Sequence, residues 1–153
     1  FSDPAVLKEL IFKSLIIKKN IIEKDEFDKN YRNILNYGHT FGHAIESIAD
    51  YQVSHGQAVT MGMGIANFIS LKSGFLSEQY YKSMRAVLLK NYPDWSFKAE
   101  DKDSFLTALT KDKKNINRDL AVILSRGPGR MWKTQIPLDG DFGKIIDAYI
   151  TTN

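Results

Sequence analysis

The chain has 153 residues, 43% hydrophobic and 25% charged, with three His and no Cys. That length can bury a core of its own, and the lack of Cys excludes a disulfide scaffold, a thiolate zinc site and a Cys nucleophile. Its 21 basic and 18 acidic residues are interspersed, giving a net charge of +3. No basic stripe with interleaved aromatics points to nucleic acid, and no apolar run reaches the roughly 18 residues of a membrane span. No secretory leader opens the chain and Phe1 is not a natural start, so a cytoplasmic piece of something longer is expected.

Asp3-Pro4 is a helix start, with the cap residue followed by proline at the first helical position. Val6, Leu7, Leu10, Ile11, Leu15, Ile16 and Ile22 then recur at helical spacing. Lys24 to Tyr31 is polar, a loop or a helix end. The pattern predicts a second helix over Asn33 to Ala49 despite Gly38 and Gly42; glycines four apart in a helix mark close approach of another backbone or a ligand. Asp50 to Ser54 is a connection. A third helix is predicted from His55 or Gly56 to Lys72, stopped by Ser73-Gly74. Ser77 caps a fourth, which Pro93 ends, and Ser104 to Lys111 forms a shorter one. Lys111, Lys113 and Lys114 make the densest basic cluster, either a solvated helix end or an anion site. Leu120 to Leu124 and Met131 to Ile136 are β-prone runs around a Gly-Pro-Gly turn, and Asp141 to Ile150 is a last helix. The expectation is one mainly α domain over residues 1–153, with a small β-hairpin near residues 119–136.

All three histidines lie between positions 39 and 55. On one helix His39 and His43 share a face, with Cβ atoms about 5–6 Å apart. Asn36 and Glu46 lie three residues outside that pair on the same side, and a short connection can fold His55 back toward His39. One such histidine is ordinarily a satisfied polar group. Three together, with paired glycines, point to a site, and imidazoles plus a carboxylate suit zinc or a similar divalent ion. By spacing, His39, His43 and Glu46 or His55 are all candidate ligands. The His-Glu-x-x-His motif is absent because Thr40 occupies the place of its general base, which argues against a metallopeptidase.

The segment Leu35-Asn-Tyr-Gly-His-Thr-Phe-Gly-His-Ala-Ile-Glu46, followed by His55-Gly-Gln-Ala-Val59, closely resembles the signature of the 3-dehydroquinate synthase family. Lys18, Asp25-Glu26 and Arg32 precede it in register, and Lys111-Asp-Lys-Lys114 resembles a later family segment. The resemblance covers nearly the whole chain and implies the helical C-terminal domain of that enzyme. It implies His39 and His55 as metal ligands (zinc or cobalt), and His43 beside the metal handling protons and the departing phosphate. The family's third ligand is an upstream Glu, so Glu46 is not that ligand. Lys18 and Arg32 would hold the substrate carboxylate and hydroxyls; Asn36 and Lys113 or Lys114 would meet the phosphate. Where the family has Glu four residues before Arg32, this chain has the shorter Asp28. The family's N-terminal NAD-binding half is not in this chain, and no Gly-rich dinucleotide fingerprint follows a strand.

The implied reaction converts 3-deoxy-D-arabino-heptulosonate 7-phosphate to 3-dehydroquinate and phosphate, an early step of the shikimate route to aromatic amino acids. NAD carries the transient oxidation, and the metal lowers the pKa of the reacting hydroxyl. The complete enzyme would be a homodimer acting on a sugar phosphate, with neither nucleic acid nor membrane as partner; the isolated domain would be inactive. The alternatives are a related cyclase of the inosose or valiolone type, a metal-dependent polyol dehydrogenase, or a helical interaction module with a vestigial site. Asn36, Arg32 and Lys18 favour the dehydroquinate type.

Overall fold

A computed structural model describes residues 3–27, 29, 31–111 and 119–152. Asp28, Lys113 and Lys114 lie outside the described residues. The chain divides into two compact units, residues 1–35 and 36–153.

The first unit is built on α1 (Pro4–Lys24). The Asp3 carboxylate accepts the Ala5 backbone N–H at 2.8 Å, as the Asp-Pro start predicts. The helical spacing of its apolar residues is realised, yet Leu7, Leu10 and Ile11 are exposed and Ile21 is the buried one. The helix ends at Lys24. Beyond it the Asp25 carboxylate takes the N–H groups of Lys29 and Arg32 at 2.9 and 3.0 Å, tying the polar stretch into a turn.

The predicted helix over Asn33 to Ala49 is not continuous. A 3₁₀ turn spans Tyr31–Asn36, and α2 (His39–Ile48) starts after it. Gly38 separates the two with φ +79°, a left-handed conformation that breaks the hydrogen-bond ladder and makes it the cap of α2. Asn36 therefore belongs to the 3₁₀ turn and not to the helix of His39 and His43.

In the second unit the remaining elements follow the predicted order: α3 (His55–Lys72), α4 (Glu78–Leu88), α5 (Lys102–Thr110), strands β1 (Asp119–Ser125) and β2 (Met131–Pro137), and α6 (Gly140–Thr152). The strands pair antiparallel, with Val122 opposite Thr134. Helix α3 is central: its apolar residues point all round and it is buried along most of its length, including Ala58, Ile65 and Ile69. Its polar Ser70 turns inward, where its hydroxyl accepts the Ser125 N–H at 3.1 Å and so ties α3 to β1. Thr40 of α2 donates to the Ala121 carbonyl at 3.1 Å. The face of α2 that carries Phe41, Ala44 and Ile45 is buried, and Phe41 stacks with Phe105 and Phe142, ring centroids 6.4 Å apart in each pair. That packing fixes which way the other face of α2 points.

The seam between α2 and α3 is made by glycine. A Cβ on Gly42 would lie 2.9 Å from the Val59 Cα, and one on Gly38 would lie 2.5 Å from the Val59 carbonyl oxygen. The close approach expected from the paired glycines is therefore to the backbone of α3.

Candidate metal and substrate site

The glycine seam brings the start of α3 alongside α2, and the three imidazoles meet there. Ring centroids are 5.4 Å apart for His39 and His55, and 5.8 Å for His39–His43 and His43–His55. His39 is half-buried, while His43 and His55 are exposed. His43 lies one turn after His39 on the same helix, as the i, i+4 spacing predicts.

Two hydrogen-bond partners orient the rings. The Glu46 carboxylate Oε1 lies 3.1 Å from His55 Nδ1. His39 Nδ1 lies 3.4 Å from the carbonyl oxygen of Tyr37. Tyr37 is in turn anchored at its hydroxyl, which donates to Oδ1 of the fully buried Asn67. Burial pushes the Tyr37 phenol well above its ordinary range, so this hydroxyl stays a donor. Asn67 gave a faint signal in the sequence, an amide within an otherwise apolar stretch of α3; its pairing with Tyr37, 30 positions away, gave none.

The donor set fits a divalent ion. Donor atoms of His43, Glu46 and His55 lie within 4.8 Å of one another. Two imidazoles on one tetrahedral zinc, with Zn–N near 2.0–2.1 Å, have ring centroids about 5 Å apart, and the His39–His55 pair comes nearest to that. The arrangement can thus hold a cation through two or three side chains and keep a further imidazole beside it for proton transfer.

The other sequence-derived candidates stand elsewhere along the chain. Lys18 is an exposed residue of α1. Arg32 is half-buried in the 3₁₀ turn, where its Nη1 donates to the Glu26 carbonyl at 2.9 Å. Both belong to the first unit. Asn36 opens the second and is half-buried. No helix among the described residues is long and apolar enough to cross a membrane.

The chain is similar to known proteins in sequence and in fold. The family model for the 3-dehydroquinate synthase C-terminal domain matches residues 1–115. The 3-dehydroquinate synthase of Helicobacter pylori is 40% identical over 124 residues, covering 80% of this chain and 36% of the relative. That of Sulfurovum is 37% identical over 129 residues, covering 84% and 37%. The chain therefore spans about a third of the curated relatives it matches. A crystal structure of 2-deoxy-scyllo-inosose synthase with carbaglucose-6-phosphate, NAD+ and Co2+ superposes with a TM-score of 0.81 at 25% identity, covering 99% of this chain and 43% of that one. The 2-epi-5-epi-valiolone synthase of Streptomyces hygroscopicus, with NAD+ and Zn2+ bound, shares the fold at a TM-score of 0.70 and 17% identity, covering 98% and 41%.

Proposed function

The chain belongs to the 3-dehydroquinate synthase C-terminal family, and from that premise we propose that it is the metal- and substrate-binding part of a 3-dehydroquinate synthase. The complete enzyme, a phosphate-eliminating carbon–oxygen lyase, converts 3-deoxy-D-arabino-heptulosonate 7-phosphate to 3-dehydroquinate and phosphate. The observation that carries this reading is the convergence of His39, His43 and His55, all within the residues that the family model matches, with ring centroids 5.4–5.8 Å apart.

In this reading His39 and His55 hold the divalent metal, zinc or cobalt, with a third ligand from outside this chain. When bound, the ion lowers the pKa of a coordinated hydroxyl and stabilises developing negative charge on oxygen. His43 stands beside it and carries protons on its ring nitrogens, taking one from the substrate and returning it toward the departing phosphate. Lys18 and Arg32 neutralise and orient the substrate carboxylate, Arg32 through its planar fork. Asn36 and either Lys113 or Lys114 serve the phosphate side. Charge balance supports these roles, because a substrate with both a carboxylate and a phosphate calls for several cations.

NAD is assigned to parts of the enzyme outside this chain. The strands among the described residues form a two-stranded antiparallel hairpin, whereas dinucleotide sites use a parallel strand, a Gly-rich turn and a helix N-terminus. In this reading the isolated chain is inactive by itself. A cytoplasmic location, a homodimeric complete enzyme and a place in the shikimate pathway complete the proposal, in keeping with the family.

The related cyclases share this fold, so substrate preference is the test. The enzyme that carries this segment is supplied with NAD+, a divalent metal and either the heptulosonate 7-phosphate or a hexose 6-phosphate, and released phosphate is followed. Release from the heptulosonate alone is expected. Release from the hexose phosphate alone would move the protein to the inosose type.

A further inference from the structure

Glu46 is the carboxylate of the histidine face, and the family-based ligand set leaves it unused. Its side chain is 15% exposed against 55% for His55, so the firmer partner is the acid. Glu46 sits in the last turns of α2 and His55 is the first residue of α3. They are joined across the connection by the 3.1 Å contact of Oε1 with Nδ1. An ionised carboxylate can only accept a hydrogen bond, so the imidazole nitrogen facing it must carry the proton.

A neutral histidine has one protonated nitrogen and one lone pair. Fixing the proton on Nδ1 places the lone pair on Nε2, at the opposite edge of the ring. Metal-binding histidines are commonly oriented in this way, with a carboxylate or carbonyl behind the ring. His39 follows the same pattern, its Nδ1 facing the Tyr37 carbonyl. In both rings the edge that meets a local oxygen acceptor is therefore the Nδ1 edge.

We propose that Glu46 is a positioning residue: it holds His55 in the Nδ1–H tautomer so that Nε2 is the metal-binding nitrogen. This rests on the metal-site reading above and adds a role for a side chain outside the ligand set. The contending arrangement has Glu46 as a direct ligand with His43 and His55, whose donor atoms lie within 4.8 Å of one another. In that case Glu46 and His55 Nδ1 would both face the ion, and the hydrogen bond would be replaced on metal binding.

The tautomer can be read without metal, by long-range proton–nitrogen NMR of the 153-residue chain at about pH 8.5, where imidazole is neutral. Nδ1–H is expected for His55 in the unsubstituted chain and in Glu46→Gln, whose amide oxygen still accepts. Glu46→Ala is expected to shift the population toward Nε2–H. An Nε2–H His55 in the unsubstituted chain, or a tautomer that ignores Glu46→Ala, overturns the proposal. In the complete enzyme, Glu46→Ala should weaken metal binding by about 10–100-fold and Glu46→Gln by less. Loss in Glu46→Gln as complete as in His55→Ala would instead make Glu46 a direct ligand. The two readings fail separately. A protein with Nδ1–H His55 that binds no metal overturns the metal site alone, and one that binds metal with Nε2–H His55 overturns the role of Glu46 alone.

Discussion

Gly62 of α3 rests against the carbonyl of Gly38: a Cβ at Gly62 would lie 2.1 Å from that oxygen and 2.6 Å from the Gly42 nitrogen. No side chain fits there without moving one helix off the other. The histidine triangle depends on this seam, because His39 and His43 stand on one helix and His55 on the other.

Gly62→Ala should therefore destabilise the fold by about 1–3 kcal/mol, as overpacking does in a close-packed interior. Gly56→Ala is the matched control in the same helix. A Cβ there meets nothing within 4 Å, and alanine should stabilise by up to about 1 kcal/mol. Urea unfolding of the two variants measures both; equal stabilities would contradict the seam.

Burial raises the phenols of Tyr92 and Tyr149 above their ordinary value, and their hydroxyls are 3.1 Å apart. The folded protein thus keeps protons that the unfolded chain gives up above about pH 10. Their contribution to stability is complete below that pH and is lost as pH rises past it. Tyr149→Phe should cost about 1 kcal/mol at neutral pH and make the alkaline decline shallower. Unfolding measured at several pH values from neutral upward tests this, and an unchanged alkaline slope would contradict it.

Replacing His43 by Ala should lower kcat of the complete enzyme by about 10²–10⁴-fold, the usual worth of a positioned proton carrier. Metal content should stay at the level of the unsubstituted enzyme. Loss of metal from this variant, measured by elemental analysis, would make His43 a ligand.

Much of this was legible in the sequence because the signals are local. Ser73-Gly74 stops α3 after Lys72, Ser77 caps α4 by accepting the Tyr80 N–H, and the Gly-Pro-Gly turn joins two strands. The histidines could be grouped because two share a helix face and the third follows a short connection. The failure at Gly38 has a physical cause. A glycine inside a helical pattern is compatible with helix, and its choice of φ +79° is set by the approach of α3, a tertiary contact. The Glu46–His55 pair was out of reach for a related reason. Spacing shows which residues share a helix face, whereas this bond joins two helices and depends on how closely they pack.

The most direct test of the central claim is metal content together with phosphate release in His39→Ala and His55→Ala variants of the complete enzyme. The account predicts that each variant loses bound metal and, with it, NAD-dependent phosphate release from the heptulosonate. A His39→Ala enzyme that kept its metal and its turnover would contradict it.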